Sequence, residues 1–306
     1  MNPLPQLLLS GGEPFLRKDV AGIVHAFYLH ASTRQISIPT NGALPNLTLP
    51  SVEMILEKCP DAFLNINLSL DGIGDDHDQL RGLKGCFIKL CETYEGLERL
   101  RKHHQRLSVN VLSTITSNNA DKLENIFNYV KENFDVNYHY AGLVRGNVDA
   151  NEKDFDMELV ESRIEAIYNK KMWINEMPLF DRFTPAVASL LWKILKQARR
   201  QKERPFDCRA GRKMIVLDHQ GDIYPCEPLW LEHDVREGKE ASELRMARLQ
   251  DYDFNVPRAL RSPRAIAIKN FVDEKKCSCT YGCAMMNSII YSPRMYPRLL
   301  KELLHR

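Results

Sequence analysis

The feature that most limits how this chain can fold is an alternation in its first half. Strand-like apolar runs at 6–10, 35–39, 63–70, 107–115 and 136–144 are separated by segments with helical spacing. Those segments cover 16–32, 51–59, 87–103 and 121–133. Val20, Ile23, Val24 and Phe27 line one face of the first, and Leu123, Ile126, Phe127 and Val130 one face of the last. Strands joined through single helices need right-handed crossovers, so the expectation is a parallel sheet built from βα units. Leu7, Leu8 and Leu9 form an all-apolar run, which suits a strand buried on both faces.

Four of these strands end in small, polar, turn-forming residues. They are Ser10-Gly11-Gly12-Glu13-Pro14, Pro39-Thr40-Asn41-Gly42, Ser69-Leu70-Asp71-Gly72 and Ser113-Thr114-Ile115-Thr116. Ligands of parallel α/β proteins bind at the carboxyl ends of strands. One such loop alone reads as an ordinary turn, whereas four along one edge read as a binding site. Gly11 and Gly12 leave room for a ligand to approach the backbone. Glu13 supplies a carboxylate suited to an ammonium group, and Pro14 fixes the turn that follows.

The pattern changes near residue 147. Segments 154–174 and 184–203 read as helices. In the second, Thr184 can cap, Pro185 suits the first turn, and Val187, Leu190, Leu191, Ile194 and Leu195 make an apolar stripe. The run Arg199, Arg200, Lys202 and Arg204 reads as the solvated end of that helix. Segment 213–224 reads as a hairpin turning at His219–Asp222, and the chain beyond it as irregular. A boundary near residue 205 gives domains 1–204 and 205–306.

Cysteine placement separates these parts further. Cys59, Cys86 and Cys91 are scattered through the first third and read as core residues. Cys208, Cys226, Cys277, Cys279 and Cys283 follow, three of them within seven residues. The hairpin, with Gly221 in its turn, brackets the first two. Four thiolates suit an iron–sulfur cluster or structural zinc, and five leave one spare. Buried reduced cysteines are the plain alternative. The acidic triple Asp75, Asp76 and Asp78 has no closing acid for a calcium loop and reads as a solvated turn.

Charge and hydropathy narrow the partners. With 42 Lys+Arg against 40 Asp+Glu, nothing global points to nucleic acid or a membrane surface. No run approaches the roughly 18 apolar residues of a spanning helix, and no signal peptide is read, so a cytoplasmic location is expected.

Taken together, these residues resemble the radical S-adenosylmethionine (radical SAM) superfamily over nearly the whole chain. LLLSGGEPFLRKD (7–19) is similar to the family's strand and loop that hold the amino group of S-adenosylmethionine. IPTNG (38–42), LSLDG (68–72) and HDQLRG (77–82) are similar to the strand ends that follow. CRAGRKMIVLDHQGDIYPCE (208–227) and CSCTYGCA (277–284) resemble the opening and closing of a SPASM/twitch extension, which carries an auxiliary [4Fe–4S] cluster.

The resemblance implies a partial (β/α) barrel plus a small cysteine-rich C-terminal domain with a β-hairpin. It implies S-adenosylmethionine held by Gly11, Gly12, Glu13 and Pro14. Asn41, Ser69 and Asp71 are weaker candidates for its ribose or carboxylate, and Thr114 and Arg145 lie at later strand ends. For the auxiliary cluster it favours Cys208, Cys226, Cys279 and Cys283, with Cys277 as the alternate. The chemistry implied is a 5′-deoxyadenosyl radical abstracting hydrogen from a peptide or small-molecule substrate, with flavodoxin or ferredoxin as electron donor.

One departure stands against the match. The family's catalytic cluster is held by CxxxCxxC before the GGEP strand, and no segment here has that spacing. The expectation is that a first strand–loop–helix unit of about 30 residues precedes Met1 in a longer parent. Two other readings stay open: an inactive remnant serving as a binding or scaffold module, and a zinc-bearing structural protein.

Overall fold

The computed structural model describes residues 4–146, 148–169, 183–201, 204–231, 239–277 and 279–304. Contacts divide the chain into two compact units, 1–176 and 177–306.

The first unit is a five-stranded parallel half-barrel. Its strands are β1 (Gln6–Leu8), β2 (Gln35–Thr40), β3 (Phe63–Ser69), β4 (Leu107–Ile115) and β5 (Tyr138–Leu143), in that spatial order. Each neighbouring pair runs parallel, with Ile36 opposite Leu64 and Ile66 opposite Val109. The crossovers carry α1 (Val20–His30), α2 (Pro45–Lys58), α3 (Asp75–Arg81), α4 (Cys86–Arg101) and α5 (Leu123–Asn133), and α6 (Met157–Asn169) packs on α5.

Alternation along the strands separates the two faces of the sheet. Ile36, Ile38, Leu64, Ile66, Leu68, Val109 and Val111 are buried together with Val24, Val52, Ile55, Leu90 and Ile126 from the helices. The opposite face carries Ser37, Asn65, Asn67 and Asn110. Asn67 Nδ2 donates to Ser37 Oγ at 2.8 Å, and Asn110 Nδ2 donates to Asn67 Oδ1 at 3.2 Å. β1 departs from the expected burial on both faces. Leu7 is buried but Leu8 is exposed, and among the described residues β1 pairs with β2 alone.

Two elements of this unit extend the sequence reading. α2 begins at Pro45 rather than near 51 and runs through Pro50. A proline at the first turn is preorganised for a helix, and Thr48, Val52, Ile55 and Leu56 keep one buried face through the second proline. The acidic triple expected in a solvated turn opens α3, where carboxylates suit the positive end of the helix.

The second unit contains α7 (Phe183–Gln201), the antiparallel strands β6 (Val216–Leu217), β7 (Asp222–Tyr224) and β8 (Ala247–Arg248), and α8 (Glu227–Leu231). β6 and β7 form the expected hairpin, with Gly221 at φ 83° in its turn. The segment read as irregular adds α9 (Val256–Ala259), α10 (Pro263–Asp273), α11 (Gly282–Tyr291) and α12 (Tyr296–Leu304). Ser262 caps α10 by accepting from Ala265 N–H, and Pro263 sits in the first turn.

α7, counted with the first domain on sequence grounds, packs on α11 and α12 of the second unit. Glu302 of α12 accepts from Ser189 Oγ at 2.9 Å and pairs with Lys193 Nζ at 2.5 Å. The side chains of Thr184 and Pro185, and the helical expectation beyond residue 169, lie outside the described residues. Among the described residues no helix is long and apolar enough to cross a membrane.

Candidate functional site

The strand ends of the first unit assemble around Glu13. β1 runs into Gly11 and Gly12, which are exposed, and a short 3₁₀ turn at Pro14–Leu16 follows. Gly11 has φ 142°, a conformation side chains rarely adopt, and a Cβ on Gly11 or Gly12 would meet nothing within 4 Å.

The Glu13 carboxylate accepts from three donors. Oε1 takes the Phe15 N–H at 3.1 Å and the Thr40 hydroxyl at 3.0 Å, and Oε2 takes the Asn41 N–H at 2.8 Å. A carboxylate offers about four acceptor positions. Among the described residues these three donors leave one position on Oε2. Asn41 holds its own turn, accepting from Ala43 N–H at 2.8 Å.

The next strand ends are braced rather than open. Asp71 is buried; one oxygen accepts from Thr114 N–H at 2.6 Å and the other pairs with Arg81 at 2.7 Å. Burial pushes its carboxyl upward, and Arg81 and the Thr114 bond offset part of that. Its N–H donates to His77 Nδ1 at 3.2 Å, and its carbonyl accepts from Asn119 at 2.9 Å. Gly72 is fixed by space, since a Cβ there would sit 2.8 Å from the His77 backbone nitrogen. Asp71 therefore locks β3, α3 and β4 together, and Ser69 and Thr114 remain half-buried beside it.

His77 and Arg81 were visible in the sequence only as part of HDQLRG. Burial, with Arg81 nearby, holds the His77 imidazole down at about 4, so it is neutral near pH 7. A cleft of about 430 Å³ opens beside this lock, lined by Asp71, Gln79, Asn118, Asn119, Lys122 and Asn125 among others.

In the second unit, Cys208, Cys226, Cys277 and Cys279 line one small cavity with Arg204, Ala210, Pro228, Leu229, Val272 and Ala284. The hairpin delivers the first two thiols. Cys277 and Cys279 both lie outside any helix, ahead of α11. Cys283, favoured over Cys277 on resemblance, lies exposed in the first turn of α11 and does not line this cavity. Cys277, the alternate on that reading, lines it. Burial, followed by the neighbouring Cys279 thiol, drives the Cys226 thiol well above its usual range. The Cys208 sulfur accepts from the Ala210 N–H at 3.4 Å, and the Cys279 sulfur from the Tyr281 N–H at 3.3 Å. Among the described residues no three His, Cys, Asp or Glu side chains converge as a site for one metal ion, so the thiols frame a cavity rather than a point.

A parallel half-barrel with a carboxylate held beside a glycine pair at its strand ends, followed by a four-thiol cavity, places the chain among barrel-type α/β proteins, whose ligands bind at strand ends. Comparison with known proteins makes it specific. The AdoMet-dependent heme synthase of Methanosarcina barkeri is 33% identical over 298 residues, covering 91% of this chain and 77% of that protein. The subtilosin biosynthesis protein AlbA of Bacillus subtilis is 23% identical over 221 residues, covering 71% of this chain and 43% of AlbA. The solved structure of native anSMEcpe with bound AdoMet shares the fold, with a TM-score of 0.57 and 15% identity over 98% of this chain and 85% of that one. No family model matches. The chain belongs to the radical SAM superfamily, with SPASM-like features.

Proposed function

We propose that these residues form the S-adenosylmethionine-binding half-barrel and the cluster-bearing C-terminal part of a radical SAM enzyme. The observation that carries this reading is the Glu13 carboxylate, held by Phe15, Thr40 and Asn41 with one acceptor position left. An ammonium group at that position gains a charge-assisted hydrogen bond. Gly11 and Gly12 leave the space beside it free of side chains, and Asn41, Ser69 and Thr114 line the neighbouring strand ends. S-adenosylmethionine held there would supply a 5′-deoxyadenosyl radical for hydrogen abstraction, when one electron from a reduced iron–sulfur cluster cleaves its C5′–S bond and methionine leaves. The CxxxCxxC ligands of such a catalytic cluster are not among these 306 residues, so no step is derived through it.

The four cavity thiols fit an auxiliary [4Fe–4S] cluster by donor type and number. Flavodoxin or ferredoxin is the proposed electron donor and the cytoplasm the proposed location. For the substrate, the relative at 33% identity favours a small molecule of the tetrapyrrole class over a peptide. Equilibrium dialysis with labelled S-adenosylmethionine tests the first claim. The wild-type chain should retain it and Glu13→Ala should lose affinity; equal retention by both would overturn the assignment. A Soret-band titration with iron-coproporphyrin III tests the second. An unperturbed band, together with a precursor-peptide gene beside this one, would move the reading to a peptide.

A further inference from the structure

Arg204 reads in the sequence as the end of a solvated basic run, yet it is 3% exposed. Its Nη1 donates to the Cys277 sulfur at 3.2 Å, and its Nη2 donates to the Val272 carbonyl. Its Nε is buried with no hydrogen-bond partner. Among the described residues no carboxylate pairs with it, and it is the one charged side chain lining the four-thiol cavity. A guanidinium keeps its charge in proteins, and a buried charge without a counter-ion is costly. Four metal-bound thiolates would supply the missing negative charge at that point.

We propose that Arg204 is a positioning and tuning residue for the C-terminal cluster. It holds Cys277, in place of Cys283, in the ligand set and raises the cluster's reduction potential. The proposal rests on the reading of the four thiols as cluster ligands. The couple concerned is one-electron: the cluster gains one electron from an external reductant, no bond breaks and no proton moves. The reduced form carries one more negative charge, so an adjacent cation stabilises it more than the oxidised form. A hydrogen bond to a ligand sulfur acts in the same direction.

The test uses the full 306-residue chain reconstituted with iron and sulfide without oxygen. Potentials are read by electron paramagnetic resonance during a mediated dithionite titration. Because the chain has no CxxxCxxC, the signal reports this cluster, and Cys208→Ala should abolish it. Arg204→Gln should keep its iron and shift the reduction equilibrium about tenfold toward the oxidised form, about 59 mV for one electron. Arg204→Lys, which keeps the charge, should recover at least half of that shift. A fully loaded Gln variant with an unchanged potential would sink the proposal. If the Gln variant does not fold or load, the wild-type chain with ¹⁵N-labelled arginine decides. A ¹⁵N hyperfine coupling in the reduced cluster is expected, and its absence overturns the contact. Failure of the wild-type chain to bind iron and sulfide overturns the cluster reading itself, a separate and recognisable result.

Discussion

The Glu13 site and the cysteine cavity differ in what completes them. Glu13 takes its three donors from the protein's own neutral groups, so its geometry exists before any ligand arrives. The cavity gathers thiols around a buried guanidinium whose Nε is unpartnered. On the cluster reading proposed above, thiolates bound to a metal guest would supply the negative charge beside that guanidinium. The first site should therefore bind its ligand as a preformed surface, while the second should gain much of its stability from its ligand.

The largest expected effect follows from that contrast. Anaerobic reconstitution should raise hydrogen-exchange protection strongly in 205–231 and 263–291, and chelation or the Cys208→Ala/Cys226→Ala pair should abolish the gain. β3 and β4 should keep their protection in either state. Equal loss in both units would break the comparison. The same samples sharpen the ligand set: Cys277→Ala should lose the iron, and Cys283→Ala should retain it.

A smaller effect is expected at the preformed site. Glu13→Ala removes one charge-assisted bond to the ammonium group, worth about 2 kcal/mol, so affinity for S-adenosylmethionine should fall about thirtyfold. Iron content should not change. Glu13→Gln keeps an acceptor without the charge and should fall between the two. A Gln variant as weak as the Ala variant would assign the whole effect to charge.

The two regions also differ in how much of them the sequence disclosed. β4 was legible to the residue, because its β-branched run lies between clear turns, and the strand-end loops were legible because glycine and proline mark them locally. The burial of Arg204 was not, and Cys277 was legible only as an alternate to Cys283. A basic residue after a helix looks solvated whatever later packs over it, and the choice between Cys277 and Cys283 depends on where α11 begins. α10 and α11 escaped because they are short and follow a stretch without clear periodicity. What nearest neighbours along the chain determine was visible, and what residues about 70 positions apart determine was not.

The smallest expected effect tests how far the first unit's readiness depends on buried neutral groups. His139 of β5 is buried and stacked on Phe127, with ring centroids 3.5 Å apart. The Ser113 hydroxyl donates to the Leu70 carbonyl, so it accepts from His139 Nε2 at 2.8 Å, and Nδ1 is left without a partner. Burial pushes this imidazole down to about 3, and His77 lies at about 4. Both folded values are below the ordinary 6.5. The unfolded chain therefore takes up protons that the folded chain refuses, and stability falls as pH drops below about 6.5. The loss continues until each folded value is reached. At pH 5.5 each histidine should cost the first unit about 1.4 kcal/mol relative to neutral pH. His139→Phe keeps the ring stacking and removes both the proton site and the unpaired nitrogen. Its stability at pH 7.5 should stay within about 1 kcal/mol of wild type, since one neutral hydrogen bond is lost. Between pH 7.5 and 5.5 the variant should lose about 1.4 kcal/mol less than wild type in urea melts of the first unit. Parallel pH profiles for the two proteins would show that His139 is already protonated, or hydrated, in the folded state.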